Sequence, residues 1–176
     1  MLELAILGFL YDAPLHGYEL RKRITALTGH VRPIAESTLY PAIKRLETAG
    51  LMERTTEPGA VAAPRHVLTL TEEGRRELRR RLAEPVQRDI TDENRWFTVL
   101  AFLRHLDDAK AQTAVLRRRL AFLEEPASLF YDGDRPLSAE EFDDPFRRGI
   151  LTIARATSRA ELGWLRETIA ALEAGI

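Results

Sequence analysis

The sequence predicts a mainly α-helical protein with one small β-hairpin, divided into an N-terminal domain over residues 1–84 and a C-terminal helical domain over residues 85–176. Three observations carry this. Apolar residues recur at helical spacing through most of the chain. One short stretch, "RHVLTLT", alternates apolar and polar residues as a strand does. The charge also divides. Residues 1–82 hold 13 Lys/Arg and 10 Asp/Glu, whereas residues 83–176 hold 13 and 17, so a mildly basic half precedes an acidic one.

The elements follow in order. "LELAILGFLYDAP" places Leu2, Ile6, Phe9 and Leu10 at helical spacing and ends at Pro14. "LHGYELRKRITALTG" is a second helix, with Tyr18, Leu20, Ile24 and Leu27 on its apolar side and Gly29 as its stop. "ESTLYPAIKRLETAG" is a third. Leu39, Ile43 and Leu46 share one face, Gly50 closes it, and Ser37 is the expected N-cap, which puts Pro41 in the first turns, where its missing N–H costs least. "LMERTTE" and "RHVLTLT" are the hairpin, with Gly59 near its tip. "TEEGRRELRRRLAEP" is a helix capped by Thr71 and stopped before Pro85.

Beyond Pro85 the pattern is again helical. Trp96, Leu100, Leu103 and Leu106 share a face, as do Leu116, Leu120 and Leu123. Residues 126–138 form a loop rich in proline, glycine and aspartate. A last helix runs from about Ala139 to Leu172. Its Leu162, Leu165, Ile169 and Leu172 repeat at 3-4-3 spacing, a seam suited to another helix.

Composition limits the function. Near-balanced charge and 45% hydrophobic residues describe an ordinary globular chain. There are no cysteines, which removes disulfides and thiolate sites and fits a reducing cytoplasm. The longest apolar run, "AILGFLY", is too short for a bilayer, and no basic-then-apolar leader precedes it. The four histidines, His16, His30, His66 and His105, form no close ligand pair. No HExxH, GxSxG, phosphate loop or dinucleotide fingerprint is present. We therefore expect neither an enzyme nor a metal or cofactor.

Three short helices followed by a hairpin is the element order of a winged helix-turn-helix. The third helix is built to enter a DNA major groove. Ser37 and Thr38 are slim groups at its leading end, Tyr40 carries a hydroxyl on a rigid ring, and Lys44 and Arg45 supply charge. Arg54 and Arg65 place cations on the wing, and His66 adds a donor. A winged helix used only for protein contacts is the alternative.

The stretches "LELAILGFL", "HGYEL", "STLYPAIKRLETAGL" and "PRHVLTLTEEGRREL" together resemble the N-terminal domain of the PadR family of bacterial transcriptional regulators over about residues 2–80. The segment "GILTIARATSRAELGWLRETIAAL" is similar to the dimerising last helix of its longer, virulence-activator-type members. The resemblance implies a homodimeric repressor of an operator, ligand-responsive in many members, with Tyr18, Ser37, Tyr40, Lys44 and Arg45 facing double-stranded DNA and Arg65 on the wing. A twofold dimer would read an inverted repeat. This chain departs from the pattern at His66, Leu68 and Thr69, and its wing tip "GAVAA" is neutral. A small aromatic effector would belong between the two domains. There Trp96, beside Phe97, either walls the ligand or packs the junction.

Overall fold

The computed structural model describes residues 1–27, 34–57, 65–125 and 131–175, with backbone alone at Glu57 and Arg65. Gly29, Gly59 and the wing-tip segment lie outside these residues. The described chain forms two compact units, Met1–Asp107 and Asp108–Ile176.

The first unit is a winged helix-turn-helix. Its helices are α1 (Leu2–Asp12), α2 (Gly17–Leu27), α3 (Glu36–Thr48) and α4 (Glu72–Ala83), followed by α5 (Gln87–Thr91) and α6 (Glu93–Phe102). Its strands are β1 (Leu15–His16), β2 (Met52–Glu57) and β3 (Arg65–Leu70), in the order β1-β3-β2 and antiparallel throughout. Helix α1 is the central element and packs on α2, α3, α4 and α6. That position explains why it is apolar almost all round, with Leu4, Ile6, Leu7 and Leu10 all buried. Gly8 belongs to the same packing, because a Cβ there would come 2.4 Å from the Phe102 ring.

Helix α3 docks by Leu39, Ile43 and Leu46, which are buried as their spacing predicts. Each such side chain contributes roughly 1.5–3 kcal/mol relative to exposure. Gly50 ends the helix at φ +70° and donates to the Glu47 carbonyl at 3.0 Å. Thr71 caps α4 as expected. Its hydroxyl accepts from the Gly74 amide at 3.0 Å and donates to the Gly50 carbonyl at 2.7 Å, joining the end of α3 to the start of α4.

The structure corrects several expectations. Ser37 is not the N-cap. Ala35 holds that position, Glu36 opens the helix, and Pro41 sits two residues deeper than expected. The proline leaves the Ser37 carbonyl without its helical donor, but Ser37 is exposed and water can replace it. The compact unit also passes well beyond residue 84. Pro85 stops α4, yet α5 and α6 fold back and bury Ile90, Trp96, Val99 and Phe102 in the first unit. Helix α6 ends at Phe102, and a 3₁₀ turn over Leu103–Leu106 leads into Asp107, which has φ +50°.

The second unit is a helical hairpin of α7 (Ala109–Glu124) and α8 (Pro145–Ala174), with the two-residue strands β4 (Tyr131–Asp132) and β5 (Arg135–Pro136) between them. Helix α8 starts later than Ala139. Ser138 opens only a short 3₁₀ turn, held by its amide donating to Glu141 at 2.6 Å. Asp144 then caps α8, with Pro145 in its first turn. Ion pairs Arg117–Glu173 and Arg166–Glu124, at 2.5 and 2.8 Å, tie opposite ends of the antiparallel helices. Between them Arg119 is buried and donates to both oxygens of Glu161, at 2.8 and 2.9 Å.

The predicted seam is filled from within the chain. Leu165 and Ile169 are buried where α8 packs on α7, and Leu162 and Leu172 are half-buried. A different face of α8 stays open. Phe146, Ile150, Ile153 and Trp164 are exposed, by 81, 52, 69 and 41%. Spacings of four, three and eleven residues keep them on one stripe.

Candidate nucleic-acid interface

The buried face of α3 fixes what its other face presents. With Leu39, Ala42, Ile43 and Leu46 inside, the side chains of Ser37, Thr38, Tyr40, Lys44 and Arg45 are all exposed. The leading half of this face carries only short hydroxyls and one tyrosine, so it is narrow enough for a major groove and rich in donors and acceptors. Lys44 stands one turn beyond Tyr40. Among the described residues it has no hydrogen-bond or ion-pair partner, so its charge is available to an external phosphate.

Helix α2 adds a second tyrosine beside the first. Tyr18 is 66% exposed at the start of α2 and stacks on His16, with ring centroids 5.9 Å apart and planes 10° apart. Tyr40 approaches the same turn, since a Cβ on Gly17 would lie 3.7 Å from its ring. The two tyrosines, with Arg54, His16 and His66, line an open cleft of about 440 Å³ floored by Ile43 and Leu68. Predicted residues from α2, α3 and the wing therefore converge on one surface.

The wing is held to this surface by its histidines. His16 Nδ1 lies 3.2 Å from the His66 carbonyl, and His66 Nδ1 lies 3.2 Å from the Thr56 hydroxyl. The expected donor role of His66 is thus taken up, in part, inside the sheet. Arg54 is drawn toward Glu47 at 3.4 Å. Arg65 opens β3 opposite Glu57, and its side chain lies outside the described residues.

Arg45 separates from the group. It donates to Glu3 of α1 at 3.0 Å, and Glu3 also meets Arg81 of α4 at 3.4 Å. Adjacent helical residues point about 100° apart, so Arg45, though exposed, comes within reach of Glu3 while Lys44 does not. Trp96 and Phe97 also part. Trp96 is completely buried and Phe97 is 46% exposed, so the pair is not one wall. One exposed cation was missed in the sequence. Lys22 lies one turn after Tyr18 on α2, the spacing that links Lys44 to Tyr40, and it has no partner among the described residues.

Residues 6–80, which contain all of α1 through β3 except the first turn of α1, match a family model described as "Transcriptional regulator PadR-like family". The chain carries a PadR-like domain. The PadR-like family is one of transcriptional regulators and not of enzymes. Among solved structures, a transcriptional regulator from Clostridium thermocellum is 29% identical over 45% of this chain and 76% of its own, with a TM-score of 0.42. Bacillus subtilis PadR, solved in complex with operator DNA, is 23% identical over 97% of this chain and 98% of its own, with a TM-score of 0.45. The same Bacillus protein solved with p-coumaric acid aligns over 98% of both chains at 23% identity and a TM-score of 0.42. Comparison with curated proteins returns no match. In the PadR-like domain the converging face of α2, α3 and the wing falls within the matched residues. No described helix is long and apolar enough to cross a membrane.

Proposed function

We propose that the chain is a sequence-specific, DNA-binding transcriptional repressor that holds an inverted-repeat operator as a homodimer in the cytoplasm. The observation that carries this reading is the outer face of α3, where Ser37, Thr38, Tyr40 and Lys44 are exposed together and Lys44 has no partner among the described residues. Tyr18 and Arg54 flank that face from α2 and the wing. On this reading Ser37, Thr38 and Tyr40 reach base edges, and Lys44, Arg54, Arg65 and Tyr18 hold phosphates. Arg45 contributes long-range charge and orders the helix through Glu3.

The dimer face belongs to α8, by the stripe Phe146, Ile150, Ile153 and Trp164 rather than by the seam that α7 fills. An apolar stripe of this length in an acidic half is supported by a second copy, since identical stripes complement each other about a twofold axis. A small aromatic effector that releases DNA remains part of the proposal. Phe97, not Trp96, is the member of that pair with surface to offer it.

Selection of bound duplexes from a random pool by the purified protein tests the reading. An inverted repeat with half-site centres about 10 bp or a multiple apart is expected. Failure to retain any duplex at moderate salt would instead favour the protein-contact module.

A further inference from the structure

The second unit contains a groove that neither DNA nor the α8 stripe uses. It lies between the end of α7, the β4–β5 hairpin and the middle of α8, with a volume of about 680 Å³. Its apolar lining comes from Leu123, Leu137 and Leu162, and its cations from Arg155, Arg159 and Arg166. One carboxylate, Glu125, shares the wall. Residues 83–176 are net acidic, so three arginines in one groove run against the composition around them.

The arginines are not equally occupied. Arg166 is answered by Glu124 at 2.8 Å. Arg155 donates to the Leu137 carbonyl, a neutral acceptor that leaves its charge in place. Arg159 is exposed and has no partner among the described residues. Two positive charges thus face an apolar floor without a described counter-ion. Gly163 extends the groove along α8, because a Cβ there would meet no atom within 4 Å. Close packing therefore does not demand glycine at this position, where alanine would be favoured by about 1 kcal/mol. Tyr131, half-buried, forms one wall.

We propose that this groove binds an amphipathic anion. Its apolar body lies on Leu123, Leu137 and Leu162, and its acidic head meets Arg159 and Arg155. The groove lies wholly in the second unit, so the proposal stands or falls separately from DNA binding. It also lies on the flank of α8 away from the stripe. Counting 100° per residue, Arg155, Arg159 and Arg166 project about 140–180° from Phe146, Ile150 and Trp164.

Titration of the full chain with 1-anilinonaphthalene-8-sulfonate, an aromatic anion that fluoresces when bound in an apolar site, provides the test. Saturable binding is expected, with displacement by decanoate but not by decylamine or inorganic phosphate. Arg159→Glu should weaken binding about tenfold or more, as expected on losing a charge-assisted hydrogen bond. Gly163→Leu should block the groove by filling it, in a chain whose helical circular dichroism and melting are unimpaired. No saturable binding, binding unaltered by both substitutions, or equal displacement by decylamine would overturn the proposal.

Discussion

Helices α3 and α8 are held in the same way and present opposite surfaces. Each buries one apolar face, Leu39, Ile43 and Leu46 in α3 and Leu151, Leu165 and Ile169 in α8. Outside, α3 shows hydroxyls, a tyrosine and a lysine without a described partner, whereas α8 shows Phe146, Ile150, Ile153 and Trp164. The buried faces make the fold, and the outer faces point to partners. A polar cationic face loses little by meeting water and gains from a phosphate backbone. An apolar stripe gains only by leaving water, which on the proposed reading means meeting a second copy of the chain.

The contrast between the two helices is disturbed most severely at the ion pair that holds α8. Arg119→Ala leaves Glu161 without its bidentate partner in a largely enclosed site. A loss of about 3–5 kcal/mol is expected, enough to unfold the second unit selectively. The chain has two tryptophans, Trp96 in the first unit and Trp164 in the second. Denaturant melts of Trp164→Phe and Trp96→Phe backgrounds would report the units separately, and the Trp164 signal should be the one that disappears.

Next in size is the outer stripe. Ile153→Asp places a charge at a 69%-exposed position, so the protomer should fold normally. If two copies meet there, sedimentation should change from dimer to monomer, and operator affinity should fall by orders of magnitude. A dimer unchanged by Ile153→Asp would move the interface elsewhere.

The smallest effect concerns acid. Glu77 is held down to about 2 from 4.5 by hydrogen bonds from Arg80 and then Arg81, and Arg81 also reaches the Glu3 that holds Arg45. A carboxylate lowered on folding adds stability above its unfolded value, and that stability drains as pH falls toward the folded value. The first unit should therefore lose stability between about pH 4.5 and 2. In Glu77→Gln that part of the pH slope should be absent from the Trp96 melts.

Much of the first unit was legible because its signals are local. Leu39, Ile43 and Leu46 announce a buried face by spacing alone, and Thr71 announces a cap by residue type and position. Ser37 misled because it is an equally good cap by type. The salt bridge from Arg21 to Glu36, at 2.8 Å, lies across a helix start that no local pattern encodes. Strand β1 has two residues, too few to alternate, and exists only because Leu15 and His16 pair with β3. Pro85 read as a boundary because it ends α4, but where the chain goes next depends on Phe102 meeting Gly8 and Phe9 of α1. The 3-4-3 seam showed that α8 wants a helix and could not say whose. Lys44 and Arg45 are neighbours of one charge, and only the approach of Glu3 from α1 tells them apart.

The difference between those two cations bears on whether the outer face of α3 meets DNA. The direct measurement is the salt dependence of affinity for a selected duplex, wild type against Lys44→Ala. Lys44 is exposed, so folding should be unaffected. If its ammonium neutralises a phosphate in each protomer, affinity falls, and the slope of log affinity against log salt flattens by about one for each phosphate left without its lysine. An affinity and slope identical to wild type would place the DNA on another face and contradict the DNA-binding role of α3.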